Sequence, residues 1–312
     1  MVSLIFPAQN DSMDQTPLKT LWEHSRRQIS ASSTEWGSQL QAIYACGKGL
    51  EETLQYLHYE RPTLEAFLNW MNSNSSSSMQ AVTGGDVLSA DDLADFEKQG
   101  CLVFRRAVDS AACAEARAAI QAHLNVHIDD PASWYNAQAD CEGLMVQLYH
   151  HPVLDSNRRS PRIRRAFEQL YASTAIHAVV DKVSFNPPVT PFYTFKGSPL
   201  HWDVSLAQPI PLKLQGLLYL SDCTADGGAF HCVPGFHKEI GNWLESLPGG
   251  ANPREEAIRL LQPLAIPGQA GDLVIWHQAL PHCATANRSS HPRFVQYITY
   301  DPDGYCEQEV WI

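Results

Sequence analysis

LKLQGLLYLSD (residues 212–222) is an apolar run with the length of one buried β-strand. Similar short runs, bounded by Pro, Gly or other turn-forming residues, recur through the second half of the chain. They are HAVVDKVSF (177–185), PFYTF (191–195), GGAFHCV (227–233), GDLVIWH (271–277) and RFVQYITY (293–300). Many short strands after a helical first part predict a mainly β protein with flanking helices, in a closed or sandwiched architecture such as a jelly roll.

Composition excludes several classes of protein. The chain has 312 residues, with 34 acidic and 22 basic side chains and a formal net charge of −12. This acidic balance argues against a protein that coats nucleic acid or an anionic membrane. No apolar run has the length needed to span a bilayer, and the opening residues lack the apolar core of a secretory signal. The eight cysteines form no CxxC pair, which favours reduced thiols and a cytoplasmic protein.

Residues 1–80 are predicted to form a helical N-terminal module. Thr16 and Pro17 provide a helix start, and apolar residues then recur at helical spacing until residue 72. The run NSNSSSSMQ (72–80) has the composition of a flexible linker, which places the second domain at residues 81–312. The module contains too many apolar side chains for a free-standing surface. We therefore expect it to pack against the second domain or to mediate formation of a homo-oligomer.

The segment SPLHWDV (198–204) carries the most informative chemistry. On a strand, positions i and i+2 point to the same face, so His201 and Asp203 should project together while Trp202 points away. His282 follows an apolar strand further along the chain. Two histidines and one carboxylate make the facial triad of non-haem Fe(II) oxygenases. The sequence therefore predicts that these three residues are metal ligands and the centre of catalysis.

Arg293 lies eleven residues beyond His282, at the start of a predicted strand. An iron oxygenase that uses 2-oxoglutarate must hold the distal carboxylate of this cosubstrate. A buried Arg does so with a bidentate, charge-assisted pair that Lys cannot reproduce. The order of His-x-Asp, a distal His and this Arg predicts Fe(II), 2-oxoglutarate and O2 as the groups that react.

Three further residues are candidate cofactor contacts. Gln215 stands among apolar neighbours in a predicted strand, where it is either a cosubstrate contact or a satisfied core amide. Lys182 and Ser184 alternate along another strand and share one face. That face either lines the cavity, with cosubstrate or substrate contacts, or is an ordinary solvated surface.

These motifs resemble the phytanoyl-CoA dioxygenase (PhyH) family of Fe(II)/2-oxoglutarate oxygenases. The resemblance is carried by HWD (201–203), GGAFHCVPGFHK (227–238), GDLVIWHQALPH (271–282) and NRSSHPR (287–293). It implies a double-stranded β-helix, iron held by His201, Asp203 and His282, and 2-oxoglutarate anchored by Arg293. It also implies that a small-molecule metabolite is hydroxylated or otherwise oxidised, with release of succinate and CO2.

Other outcomes remain open at this stage. Family members that halogenate carry a small residue in place of the motif's carboxylate, so Asp203 predicts oxidation without halogenation. One alternative is a non-catalytic jelly-roll module that keeps the metal for stability. Another is a hydrolase that uses zinc on the same three ligands, which would leave Arg293 without a role.

Overall fold

The computed structural model describes residues 14–27, 33–46, 48, 53–54, 56–73, 85–136, 141–303, 305, 308 and 310–312. The chain divides into two compact units, Met1–Ala81 and Val82–Ile312. Most of the polar run 72–80, predicted to be a linker, lies outside the described residues. None of the helices in the described ranges is long and apolar enough to cross a membrane.

The first unit is helical. Its helices are α1 (Thr16–Arg27), α2 (Ser33–Ala45) and α3 (Leu64–Asn72), and a π-helical turn spans Tyr56–Glu60. The Thr63 hydroxyl accepts a hydrogen bond from the Ala66 amide and so caps the start of α3. Leu18, Ile43 and Phe67 are completely buried in a small core. This packing accounts for the helical spacing of apolar residues in the N-terminal sequence.

The second unit begins with one helix and contains more helices between its strands. They are α4 (Ala90–Gln99), α5 (Ser110–Leu124), α6 (Pro152–Arg158), α7 (Pro161–Tyr171), α8 (Phe236–Ser246) and α9 (Pro253–Leu260). Ser89 and Asp92 form a capping box that starts α4. Gly100 ends this helix in the left-handed conformation, with φ of 71°, and the first strand follows directly.

Two antiparallel sheets form the centre of the second unit. Their strands are β1 (Cys101–Phe104), β2 (Cys141–Glu142), β3 (Met145–Val146), β4 (Ile176–Val179), β5 (Val183–Asn186), β6 (Leu214–Tyr219), β7 (Phe230–Cys232), β8 (Leu264–Ile266), β9 (Leu273–His277), β10 (His282–Ala284), β11 (Arg293–Tyr297) and β12 (Thr299–Pro302). The larger sheet has the order β1-β9-β6-β11-β5-β3-β2, and β12 pairs with both β4 and β6. The smaller sheet has the order β10-β7-β8.

The larger sheet is buried on both faces, which explains its nearly continuous apolar sequence runs. Leu218 of β6 packs with helix residues such as Phe167 in one core cluster. Its neighbour Leu217 faces the other way and packs with Phe230 of the smaller sheet in a second cluster. Helices thus cover one face, and the small sheet covers the other. The predicted fold class, a jelly-roll core with flanking helices, is confirmed.

Candidate metal and cosubstrate site

The loop before β6 and the start of β10 carry the three predicted metal ligands. His201 and His282 pair as an isolated antiparallel bridge, with two backbone N–O distances of 3.0 and 2.9 Å. Asp203 lies in a bend just after this bridge. The strand geometry from which His201 and Asp203 were predicted to share a face is therefore not observed, because the chain turns after a single bridged residue. Trp202 points away from the site and packs in the core between the sheets.

The bend nevertheless brings the three side chains into one compact donor set. His201 Nε2 lies 3.5 Å from Asp203 Oδ1, and His282 Nε2 lies 3.2 Å from Asp203 Oδ2. One ligand atom from each of the three residues lies within 4.8 Å of the other two. Two imidazoles and one carboxylate at this spacing form a donor set suited to a divalent transition metal.

Hydrogen bonds to the backbone fix which nitrogen of each imidazole faces the others. His201 Nδ1 lies 2.7 Å from the Pro199 carbonyl oxygen, and His282 Nδ1 lies 3.2 Å from the Leu280 carbonyl oxygen. Because a carbonyl can only accept, each Nδ1 carries the proton and each Nε2 keeps a lone pair. Two lone pairs and a carboxylate then face one another, an arrangement that a cation among them stabilises. The residues present therefore fit a bound metal.

Asp203 is held in its ionised form. Burial alone would raise the pKa of Asp203, but His201 and His282, which donate to the carboxylate from Nε2 when they are protonated there, outweigh this effect and keep the pKa well below its usual value. Gln215 contributes in the same direction, since its Nε2 donates to Asp203 Oδ2 at 2.8 Å. The carboxylate is therefore negatively charged at neutral pH, as metal binding requires.

Arg254 of α9 holds the bend that carries Asp203. Its Nη1 donates to the Trp202 carbonyl at 2.8 Å, and its Nη2 donates to the Val204 carbonyl at 2.8 Å. These two carbonyls flank Asp203 in the sequence, so one guanidinium fixes the backbone on both sides of it. Sequence reasoning missed Arg254, because no local pattern links a helix residue to a bend about fifty positions earlier.

Arg293 is buried without a carboxylate partner. It is 2% exposed, and it donates to the Gly228 carbonyl from Nη1 and to Ser184 Oγ from Nη2 at 3.1 Å. Its Nε has no hydrogen-bond partner, and no described carboxylate forms an ion pair with it. A buried charge that lacks a counter-charge is costly, and an anionic ligand removes that cost. The site therefore fits the distal carboxylate of 2-oxoglutarate.

The remaining predicted contacts lie around the same space. Ser184 is completely buried and bonded to Arg293, so the alternative of a solvated face does not hold for it. Lys182 lines the cavity described below. Gln215 is bonded to Asp203 through its nitrogen, while its Oε1 is buried and has no partner among the described residues. Only the amide nitrogen of Gln215 thus has a partner among the described residues, and its oxygen can accept a hydrogen bond from a ligand.

Tyr297 was missed by the sequence reasoning. It lies four residues after Arg293 on β11 and therefore on the same face of the strand. Its side chain interacts with that of Ser184, which accepts a hydrogen bond from Arg293, and burial raises the pKa of Tyr297. Arg293, Ser184 and Tyr297 thus form one connected polar group. The alternation of β11 was the signal that could have found Tyr297.

A cavity of about 640 Å³ unites these groups. Its lining includes the metal donor set, Arg293 and Tyr297 of the polar group, Gln215 and an apolar wall. These residues are His201, Asp203, His282, Gln215, Arg293, Tyr297, Leu217, Phe230 and Trp276. The volume lies within the usual range for pockets that bind small molecules. The structure thus brings the three predicted metal ligands, Arg293, Gln215 and Lys182 to one cavity, whereas Ser184 does not line it and is bonded to Arg293.

A curated Dictyostelium discoideum protein named "Putative phytanoyl-CoA dioxygenase" is 30% identical over 96 residues, which are 29% of this chain and 28% of that protein. The match therefore spans less than a third of that relative's length.

Two solved structures share the fold. One is the non-heme alpha ketoglutarate dependent epimerase SnoN from nogalamycin biosynthesis, with 18% identity, 68% of this chain and 81% of that chain covered, and a TM-score of 0.51. The other is HygX from Streptomyces hygroscopicus with nickel and 2-oxoglutarate bound, with 16% identity, 70% of this chain and 89% of that chain covered, and a TM-score of 0.52. At these identities the likeness establishes the fold alone.

The family model described as "Phytanoyl-CoA dioxygenase (PhyH)" matches residues 96–295. This segment is more than half of the chain. It includes the three side chains of the metal donor set as well as Arg293. The chain belongs to the phytanoyl-CoA dioxygenase (PhyH) family of 2-oxoglutarate-dependent oxygenases.

Proposed function

We propose that the protein hydroxylates a C–H bond of a small-molecule metabolite while 2-oxoglutarate is converted to succinate and CO2. The observation that carries this proposal is that the metal donor set and Arg293, which has no carboxylate partner among the described residues, line a single cavity. A zinc hydrolase built on the same ligands would leave the buried charge of Arg293 uncompensated. A non-catalytic metal module would have no use for it either.

Each polar group in the cavity has a distinct part in this proposal. His201, Asp203 and His282 would hold Fe(II). Arg293, with the hydroxyls of Ser184 and Tyr297 beside it, would bind the distal carboxylate of 2-oxoglutarate. Iron, 2-oxoglutarate and O2 together supply an oxidising chemistry that side chains cannot provide. The chain itself binds and orients the reactants and excludes water.

An apolar wall stands beside the donor set. The Phe230 ring lies 4.4 Å from the Trp276 ring and 5.7 Å from the His282 ring, between centroids. This wall orients an apolar part of the substrate and keeps water from competing for the oxidant. Trp276 Nε1 is buried and has no partner among the described residues, so it can donate a hydrogen bond to a ligand oxygen.

Oxidation without halogenation is the expected outcome. Asp203 supplies a carboxylate at the position where a halide would have to bind. Its negative charge also disfavours a second anion nearby. We therefore expect the substrate to gain oxygen, and we expect the buffer's halide to have no effect on the product.

The test is a search for the oxidised product. Protein, Fe(II), 2-oxoglutarate and a small-molecule cell extract are incubated in air in chloride or bromide buffer, and succinate and products are followed by mass spectrometry. Wild type should form succinate and a compound heavier by one oxygen, whereas His201→Ala should form neither. His123→Ala, at an exposed position of α5, is the matched control and should behave as wild type. Equal succinate formation by His201→Ala, or a halogenated product, would contradict the proposal.

A further inference from the structure

The side chains that line the cavity carry more positive than negative charge, and binding of the metal and the cosubstrate would not change this balance. Three basic side chains line it, Lys182, Lys196 and Arg293, against two acidic ones, Asp181 and Asp203. The two positive charges of Fe(II) and the two negative charges of 2-oxoglutarate cancel. One positive charge is left over, although the whole chain carries a net charge of −12. A local surplus of this kind attracts an anion to the cavity.

From this surplus we infer that the substrate carries an anionic group, a carboxylate or a phosphate, which Lys196 binds at the rim of the cavity. The inference rests on the proposed function, since it concerns the molecule to be oxidised in the same cavity. It names the substrate class and adds Lys196 to the residues that select the substrate.

Lys196 is available for such a role. Its side chain is exposed, and its Nζ lies 5.1 Å from the centre of the Tyr193 ring. Within the described part of the chain no carboxylate forms an ion pair with it. The aromatic ring holds the ammonium group without neutralising it, because a cation over a ring keeps its full charge.

The backbone around Lys196 is closely packed. A Cβ atom added to Gly143 would lie 2.8 Å from the Lys196 carbonyl oxygen, so only glycine fits at that position of the β2–β3 turn. Gly143 also has a φ of 64°, which favours glycine independently. The segment that carries Lys196 therefore rests directly on the β2–β3 turn, whose residues Leu144 and Met145 also line the cavity.

One of the two acidic residues that line the cavity already has a hydrogen-bond partner within the protein. Asp181 Oδ1 accepts a hydrogen bond from the Lys182 amide at 2.8 Å. Burial raises the pKa of Asp181. A cationic substrate would meet two lysines, Lys182 and Lys196, that repel it. An anionic group is the better match.

The apolar lining describes the rest of the molecule. Leu144 and Met145 line the cavity on the side of Lys196, and Phe230 and Trp276 line it beside the metal donor set. A ligand that spans the cavity therefore meets a cation at the rim and apolar walls further in. The substrate class that fits is an amphipathic anion whose apolar part reaches the metal.

The experiment uses the full-length protein with Fe(II) and 2-oxoglutarate. A small-molecule cell extract is separated on an anion exchanger at pH 8, and the retained and unretained fractions are tested for stimulation of succinate formation. The retained fraction should stimulate. Lys196→Gln should need about five times more of it for half-maximal stimulation, the effect of losing one partly exposed ion pair. Lys196→Glu should need more still, because it adds repulsion.

Lys98→Glu, at an exposed position of α4, makes the same change in net charge and should respond as wild type. The inference would be overturned if the unretained fraction stimulated succinate formation, or if neither fraction did. It would also be overturned if wild type and Lys196→Glu responded equally to the retained fraction. Phosphatase treatment of the retained fraction abolishes stimulation if the group is a phosphate and preserves it if the group is a carboxylate. A wild-type rate no higher than that of His201→Ala would instead overturn the proposed function.

Discussion

Arg293 keeps one buried nitrogen, Nε, without a partner while its other two nitrogens are bonded to the protein. Replacing it by Lys keeps the charge but removes the planar, bidentate geometry. We expect Arg293→Lys to weaken 2-oxoglutarate binding by about 2 kcal/mol, roughly thirty-fold, and to change metal affinity little. Calorimetric titration of 2-oxoglutarate into the Mn(II)-loaded protein measures the first quantity, and titration of Mn(II) into the metal-free protein measures the second.

Arg288→Lys is the matched control, since Arg288 is exposed and lies in the loop just before β11. It should bind 2-oxoglutarate as wild type does. If Arg293→Lys also binds with unchanged affinity, the anchor lies elsewhere, and Lys182 becomes the next candidate because it lines the same cavity.

Single residues of the site could be predicted when a short motif carried them. The His-x-Asp spacing, His282 and Arg293 were all found from sequence, and the structure places them on one cavity. Their assignment as ligands stays a prediction. Tyr297 escaped because a tyrosine in an apolar strand is usually a core residue. Its interactions with Arg293 and Ser184, which the folded structure brings about, show that it belongs to the polar group.

At the scale of elements, helix α9 controls the bend that carries Asp203 through Arg254. Removing its two hydrogen bonds to the bend should leave the carboxylate less well positioned. We expect Arg254→Gln to lower metal affinity about tenfold and to reduce the free energy of unfolding by about 1–2 kcal/mol. Mn(II) titration and urea unfolding measure the two effects separately.

Arg259→Gln on the same helix is the control for the Arg254 variant. Arg259 is exposed and pairs only with Glu256 among the described residues, so its loss should change neither quantity appreciably. A destabilised Arg254→Gln protein with unchanged metal affinity would show that Arg254 supports the fold but does not position Asp203.

The end of strand β9 should make stability depend on pH. His277 Nδ1 accepts a hydrogen bond from the Ala279 amide at 3.0 Å, and burial, with a smaller effect of His237, lowers the pKa of His277 to about 4. The usual pKa of histidine is about 6.5. Between these values the unfolded chain binds a proton that the folded chain does not, so stability falls as pH drops from about 6.5 to about 4.

His277→Asn keeps a side-chain acceptor but cannot be protonated in this range. We expect wild type to lose about 3 kcal/mol more than this variant between pH 7 and pH 4, as measured by urea unfolding at several pH values. His123→Asn, at an exposed position, should keep the wild-type dependence. Parallel pH profiles for wild type and His277→Asn would show that His277 is not responsible.

For the whole molecule, the residues placed in the site all belong to the second unit, Val82–Ile312. A protein without residues 1–81 should therefore retain succinate formation that depends on His201. If the helical unit packs against the second unit or mediates self-association, its removal should also lower stability or change the oligomeric state. Urea unfolding and sedimentation velocity measure these properties. An inactive truncated protein would contradict the assignment of the site to the second unit alone. A truncated protein with unchanged stability and oligomeric state would contradict both expected roles of the helical unit.

The fold class was predictable because the strands of the larger sheet are buried on both faces and read as apolar runs. Local signals also located helix starts such as the one at Ser89. The bend at Asp203 was not predictable, since an alternating sequence looks the same in a strand and in a bridge followed by a turn. The two hydrogen bonds from Arg254 to that bend depend on tertiary packing, which no local sequence pattern encodes.

The central claim is that His201, Asp203 and His282 hold the iron on which 2-oxoglutarate turnover depends. The most direct measurement is the rate of 2-oxoglutarate consumption with added Fe(II) for wild type and for the three single alanine variants. With only three protein ligands, loss of any one should abolish turnover while circular dichroism shows a retained fold. Wild-type consumption of 2-oxoglutarate by any one of the three variants would contradict the assignment of that residue.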